Sequence, residues 1–404
     1  MMNKETLEDL EQWGEDVIFG RAKGFRAALM CCVLRGFSWL YRAGVMHRLR
    51  MFRLGFKDQA YLGTTVISIG NITVGGTGKT PVVELFSKTL RDRGRKVAIL
   101  SRGYKSKKLE EPQRWQRRST GELVSEEEMP KVVSAGVGLE LDVKYAGDEP
   151  YMLAKNLDGV AVVVDKDRVK GGKFAIEELD SDILLLDDGM QFLKIAHTID
   201  VVLVDSNAPF GTGAILPRGT LREPPKNLCR ADYIFITKCY QAGNAELIEK
   251  IRKHNPVAEI IECTHGPKHL ENVFTGEILP LDFLDGKYVA AISGIAVPES
   301  FEEKLTDLGA NVLFHRTFAD HHSFSQKDVD RFMRRCVRRD ADIIVTTEKD
   351  AVRFPKPEEM DVEVYFLRIE VDILSGEGVW ENLVDRVCMS KKPVDPLLLY
   401  EKAI

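Results

Sequence analysis

The chain predicts an α/β fold: one domain built on a mostly parallel sheet, a smaller second α/β domain, and an amphipathic helix ahead of both. Three observations predict it. Short, almost wholly apolar runs recur at 66–69, 97–100, 160–164, 183–186 and 199–204, the pattern of strands covered on both faces. Patterns of helical period separate several of them, as βαβ units require. Many of the runs end in glycine, aspartate or arginine, and in open parallel sheets ligands sit beyond the carboxyl ends of the strands.

The 404 residues accommodate more than one domain, and we place the bounds at 1–58, 59–240 and 241–404. Lys and Arg number 57 against 62 Asp and Glu, a net charge of −5 that excludes a general nucleic-acid surface. Seven cysteines lie scattered without metal-ligand spacing, which argues for a reducing compartment and against a zinc site. The start of the chain is too polar for a signal peptide.

Residues 24–54 carry a helical period. Phe25, Leu29, Val33, Phe37 and Leu40 share one face, with Arg35 and Arg42 opposite. Those arginines argue against a membrane-spanning helix. The segment fits either a helix lying on an anionic membrane surface or one packed on the core with a solvated basic side.

Residues 66–81, VISIGNITVGGTGKTP, form the centre of the chain: strand, glycine turn, helix. Glycines let the backbone approach phosphates, and a helix N-terminus favours anions. This is a phosphate-binding loop with the nucleotide-binding set Thr73, Val74, Gly75, Gly76, Thr77, Gly78, Lys79 and Thr80. Lys79 reaches the terminal phosphates and the Thr80 hydroxyl is a Mg²⁺ ligand. The usual spacing would put glycine at Thr73, so the loop is the variant with two adjacent glycines. The fold is therefore of the P-loop NTPase type.

VAILSRGY (97–104) is a second strand, delivering Arg102 and Tyr104. Residues 105–131 are charged and aperiodic, a surface loop or insertion. GDEPYMLAKNL (147–157) opens a helix in which Asp148 is either a cap or a functional carboxylate. VAVVVDKDR (160–168) delivers Arg168, and SDILLLDDGMQ (181–191) ends in Asp187 and Asp188. Aspartates closing an apolar strand hold Mg²⁺ in phosphate-loop enzymes. Strand alternation sends the two to opposite sides, so one role cannot serve both. Loop 210–225 carries Arg218, Arg222 and Glu223. Beyond a boundary near 238–260 come a second strand–helix–strand unit at 287–318, the run Ala319-Asp320-His321-His322, and the strand of ADIIVTTEKDAVRF (341–354).

Phosphoryl transfer needs a phosphate cradle, Mg²⁺ ligands, positive charge on the transferring group and a base for the acceptor. Lys79 and Thr80 give the cradle. Asp187 and Asp188 give metal ligation. Arg102, Arg168 and Arg222 give charge, and Asp148 is the candidate base, which His321 or His322 could assist.

These blocks resemble the tetraacyldisaccharide 4′-kinases of lipid A biosynthesis. The carriers are GNITVGGTGKTP (70–81), SRGY (101–104), GDEP (147–150), LLLDDGMQ (184–191), FGTGAILPRGTLREP (210–224), ISGIAVPESF (292–301), FADHH (318–322) and VTTEKDAVRF (345–354). They keep the family's order, and the absence of glycine at 73 is usual there. The family more often has Phe and His where Met190 and Phe192 stand.

The resemblance implies an ATP- and Mg²⁺-dependent kinase, peripheral on the cytoplasmic face of a bacterial inner membrane. It would phosphorylate the 4′-hydroxyl of a tetraacyl glucosamine disaccharide 1-phosphate and need no nucleic acid or obligate protein partner. Residue by residue it implies Asp148 as base, His321 as its helper, Lys79 and Arg168 as further catalytic groups, and Arg222 beside the nucleotide. Thr80, Asp187, Asp188 and Glu223 become metal ligands, and Tyr104, Arg102, Glu149 and Gln191 substrate contacts. A lipid acceptor favours the membrane-surface reading of residues 24–54. Asp148 and His321 fall on opposite sides of the expected domain boundary, so catalysis is expected to need domain closure. Two rivals share the loop: a nucleotide switch, which has no need of GDEP or FADHH, and a soluble kinase or ligase, which has no need of the amphipathic helix.

Overall fold

The computed structural model describes Leu10 and residues 13–295, 297–319, 322 and 324–389. In chain order its strands are β1 Thr65–Asn71, β2 Val97–Ser101, β3 Lys131–Ala135, β4 Ala161–Val164, β5 Ile183–Asp187, β6 Ile199–Asp205, β7 Tyr233–Thr237, β8 Glu259–Asn272, β9 Ile278–Leu279, β10 Tyr288–Ser293, β11 Asn311–Thr317, β12 Ile343–Thr347 and β13 Val364–Ser375. The described chain divides into two compact units, each assembled from non-contiguous segments.

The first unit takes in the chain up to Lys79, Asp182–Thr264 and the chain from Ile373. Its strands run parallel in the order β5-β1-β6-β7-β8. Every residue of β1 and β7 is buried, which is why these stretches read as unbroken apolar runs. Ile72, Met190, Val202, Val204, Ile234 and Ile236 belong to the core on one face. A Cβ at Gly70 would lie 2.6 Å from Met190 Cβ, so only glycine lets β1 pass there.

The helix expected over 24–54 is Phe25–Arg53, begun by Gly24 at φ 101°. Ala27 is its one buried residue. Ser38 Oγ donates to the Ile215 carbonyl at 2.7 Å and accepts from the Arg218 amide at 3.0 Å, tying the helix to loop 210–225. The apolar stripe is exposed: Phe25 82 %, Phe37 56 %, Leu40 59 %, with Leu29 and Val33 also open. Its apolar face is therefore not core, and no described helix is long and apolar enough to cross a membrane.

The second unit comprises Thr80–Ser181 and His265–Asp372. β2 and β4 are parallel, with β3 antiparallel at β4's other edge. β11, β10, β12 and β13 form a second parallel run in that order. The charged stretch 105–131 is not a free loop. Trp115 packs on Phe174 at 5.5 Å and joins Met129 and Val132 in a small core cluster.

Candidate active site

The first unit builds the phosphate loop. β1 ends at Asn71, and the helix Lys79–Asp92 starts at Lys79. Gly75 (φ 117°) and Gly78 (φ 77°) take backbone conformations that side chains disfavour. A Cβ at Gly75 or Gly76 would meet nothing within 4 Å, so the inner side of the turn is open. Asn71 organises the turn from beneath. Its amide donates to Thr77 Oγ1 at 2.9 Å and Thr73 Oγ1 at 3.2 Å, and its oxygen accepts from Lys79 Nζ at 3.4 Å.

The loop's outer side is braced by strand ends and by loop 210–225. Val74 N donates to the Thr220 carbonyl at 2.7 Å, and Arg222 N to the Ile72 carbonyl at 2.8 Å. Thr237 Oγ1 donates to the Thr77 carbonyl at 2.8 Å, and Lys238 Nζ to the Gly76 carbonyl at 2.6 Å and Asp205 at 2.7 Å. These bonds fix the Gly76 and Thr77 carbonyls in a glycine turn of the kind whose successive N–H groups bind anions.

Beside the loop, β5 ends at Asp187 and Asp188 turns into the left-handed region, φ 55°. Strand alternation therefore does not carry across the pair, and the expectation of opposite sides has no footing here. Asp188 lies 3.5 Å from Lys79 Nζ and accepts from Arg222 Nη1 at 2.6 Å. Arg222 also donates to Gln191 Oε1 at 3.3 Å, and Gln191 Nε2 donates to the Asn71 carbonyl and Glu223 Oε1, each at 3.0 Å. Glu223, expected among the metal ligands, is 2 % exposed and accepts further from Asn227 and Arg230, each at 2.7 Å. With three donors on its carboxylate, it anchors Gln191 and the loop. Tyr41 of the first helix reaches this cluster: burial pushes its hydroxyl up, Arg222 opposes and Glu223 adds to the rise.

Hard oxygen donors suit Mg²⁺. Asp187 and Asp188 fit it as ligands, at the end of a buried strand beside the loop lysine. Among the described residues no group of three or more His, Cys, Asp or Glu could hold a metal by itself.

The second unit holds the other expected groups. Asp148 is the first residue of the helix Asp148–Asn156, whose N-cap is Gly147 (φ 92°), so Asp148 is not the cap. It accepts from Arg353 Nη1 at 2.8 Å. The same guanidinium donates through Nη2 to Asp350 at 2.6 Å. Asp350 is fully buried and also accepts from Gly294 N at 2.8 Å and Thr347 Oγ1 at 2.7 Å.

His321 lies outside the described residues. A Cβ at Gly294 would lie within 3.5 Å of Ala319 O, His322 Cβ and Asp350 Oδ1. Ala319, His322 and Asp148 belong to one unit, although sequence order sets them on two sides of the expected boundary. His322 stacks on Phe318 at 4.4 Å and lies 3.8 Å from Asp328. Glu149 pairs with Lys349 at 3.6 Å. Arg168 is buried at the start of its helix, where Asp167 caps Val169 N at 3.1 Å. Arg102 and Tyr104 are exposed.

The sequence pattern of the Tetraacyldisaccharide-1-P 4′-kinase family matches residues 30–388. The chain belongs to that family. A tetraacyldisaccharide 4′-kinase of Anaeromyxobacter sp. (strain Fw109-5) is 37 % identical, over 90 % of this chain and 92 % of the relative. One of Halothermothrix orenii is 33 % identical, over 83 % and 87 %. Among solved structures, the "apo" form of LpxK from Aquifex aeolicus in complex with ATP matches with a TM-score of 0.67 and 28 % identity, covering 89 % of this chain and 99 % of that one. The family is one of ATP-dependent lipid A kinases that phosphorylate an alcohol, and this chain is such a kinase. Sequence reading missed Asn71, Lys238, Arg353 and Asp350. Asn71 and the TEKD run stood inside quoted motifs, but only tertiary contact shows what they hold.

Proposed function

We propose that the chain transfers the γ-phosphate of ATP to the 4′-hydroxyl of a tetraacyl glucosamine disaccharide 1-phosphate, as a peripheral protein on the cytoplasmic face of the inner membrane. The observation that carries it is the open glycine turn with Lys79, Asp188 and Arg222 gathered beside it.

In this reading Thr73 to Thr80 cradle the phosphates. Lys79 and Arg222 stabilise the charge that builds on the transferring group, as oriented cations do in a partly dry site. Thr80 and Asp187 or Asp188 would hold a Mg²⁺ ion, which would supply positive charge against the charge that develops in transfer. Glu223 serves through Gln191 rather than by touching the metal. Asp148, with His321, takes the proton of the sugar hydroxyl, a poor nucleophile that gains from a base. Arg168 adds charge, and Arg102, Tyr104, Glu149 and Gln191 contact the acceptor.

The exposed stripe from Phe25 to Leu40 supports a membrane surface as the place where the lipid is met. An unpartnered apolar helix face flanked by basic residues suits an anionic bilayer. Incubation with ATP, Mg²⁺ and the disaccharide 1-phosphate tests the chemistry. Lys79→Ala and Asp148→Ala should each abolish nearly all turnover, and an active Asp148→Ala enzyme would remove the base. Co-sedimentation with anionic vesicles tests the surface: Phe25→Ser/Leu29→Ser/Phe37→Ser should stay in the supernatant.

A further inference from the structure

The proposed base does not stand alone. Asp148 shares a guanidinium with Asp350, a carboxylate that the reaction as read above does not use. We propose that Arg353 is a positioning residue: it clamps Asp148 at a fixed distance and angle from a buried anchor, Asp350. The inference rests on the reading of Asp148 as base.

The anchor is rigid by construction. Thr347 caps the short helix Glu348–Ala351 by accepting from Asp350 N at 3.2 Å, and its hydroxyl donates to the Asp350 carboxylate at 2.7 Å. The Gly294 amide, from the chain just beyond β10, donates to the same carboxylate at 2.8 Å. Asp350 therefore cannot swing without stranding buried donors, an expensive change. Arg353 is one turn further on, and its Nη2 is fixed to this anchor at 2.6 Å.

A guanidinium is planar and presents its donors in a fixed fork. Once Nη2 is held, Nη1 has one place to go, and Asp148 Oδ2 occupies it at 2.8 Å. The Arg353 side chain is 9 % exposed and its carbon lies 5.9 Å from the Phe324 ring, so the fork has little freedom to tilt. Asp148 is the first residue of a helix whose N-cap is Gly147, and the bond from Arg353 ties its carboxylate to the buried anchor. Alignment of a base with its proton is worth orders of magnitude in rate, and small misplacements are costly.

A lysine at 353 keeps the charge opposite Asp350 but cannot reach two carboxylates in a fixed fork. In the full-length enzyme with ATP, Mg²⁺ and the disaccharide 1-phosphate, Arg353→Lys should lower kcat by about a hundredfold, with the KM for ATP within about twofold. The decisive measurement is a cycle with Asp148→Asn. With that base gone, Arg353→Lys should cost less than about threefold of the residual single-turnover rate. If Arg353→Lys does not fold, Asp350→Asn/Arg353→Gln, which removes both buried charges together, gives the same readout. Full kcat in the folded Arg353 variant, or an equal loss in the Asp148→Asn background, would overturn the clamp. Full activity of Asp148→Asn alone would strike the base assignment instead, so the two failures are told apart.

Discussion

Arg368 gives the sharpest test of how the second unit is held together. It is buried, and its guanidinium bonds to both Glu84 of the helix Lys79–Asp92 and Glu348. Lys88 adds a bond to Glu84 at 2.8 Å, and Asn156 donates to Glu348 at 2.6 Å. Burial works against the Arg368 charge, but Glu348 and Glu84 outweigh it and hold its pKa up. Burial pushes the Glu348 carboxyl up even with Arg368 opposing. Arg368→Met leaves two buried carboxylates short of their counter-charge, which costs about 3–5 kcal/mol. For a unit of this size that is a melting temperature lower by roughly 6–20 °C. The sign of the pH dependence follows. A folded pKa raised above the unfolded one makes the penalty absent below the unfolded value, about 4.3, and larger as pH rises through it. Melts by circular dichroism should therefore show a smaller deficit at pH 5 than at pH 8. The triple variant Arg368→Met/Glu84→Gln/Glu348→Gln should recover at least half the loss. A deficit under about 1 kcal/mol, or a triple variant less stable than the single one, would refute the view of Arg368 as the counter-charge of this cluster.

Other outcomes follow from single contacts. Lys238→Met releases the Gly76 carbonyl and Asp205, and should weaken ATP binding by about tenfold in isothermal titration. An unchanged Kd would show the brace to be idle. Gly70→Ala forces a methyl to within 2.6 Å of Met190 Cβ and 2.7 Å of its backbone nitrogen, which no rotamer relieves, and should cost about 1–3 kcal/mol in denaturant unfolding. Burial pushes the Cys263 and Cys336 thiols up to about 12, whereas Cys32 and Cys229 are exposed. Aromatic disulfide reagent should label the exposed pair in the native protein, and Cys263 and Cys336 only after unfolding.

The fold was legible where burial on both faces wrote unbroken apolar runs. β1, β2, β4, β5 and β6 were all read from that signal. β3 and β8 are among the strands that escaped it. β3 is a five-residue edge strand behind a charged stretch. β8 is fourteen residues long but mixes polar and apolar residues along its length, so no single period describes it. The stretch 105–131 looked detached because its packing rests on scattered residues, Trp115, Val124 and Met129, whose spacing leaves no periodic mark. Sequence order also hid that the second unit joins Thr80–Ser181 to His265–Asp372, since spacing along a chain carries no record of long-range pairing.

The site was legible as chemistry and not as partnership. A strand that ends in two aspartates announces carboxylates, but nothing in the letters says that the second turns left-handed and meets Lys79 and Arg222. Glu223 was expected among the metal ligands from the family resemblance alone. Its three donors, Gln191, Asn227 and Arg230, come from other turns and make it a buried hub. Asp148 shows the same limit from the other side. Its position at a helix start allowed a cap or a base, and local geometry could not choose. Gly147 is the cap of that helix, and the partner of the Asp148 carboxylate, Arg353, stands 205 residues away, where no local pattern announces it.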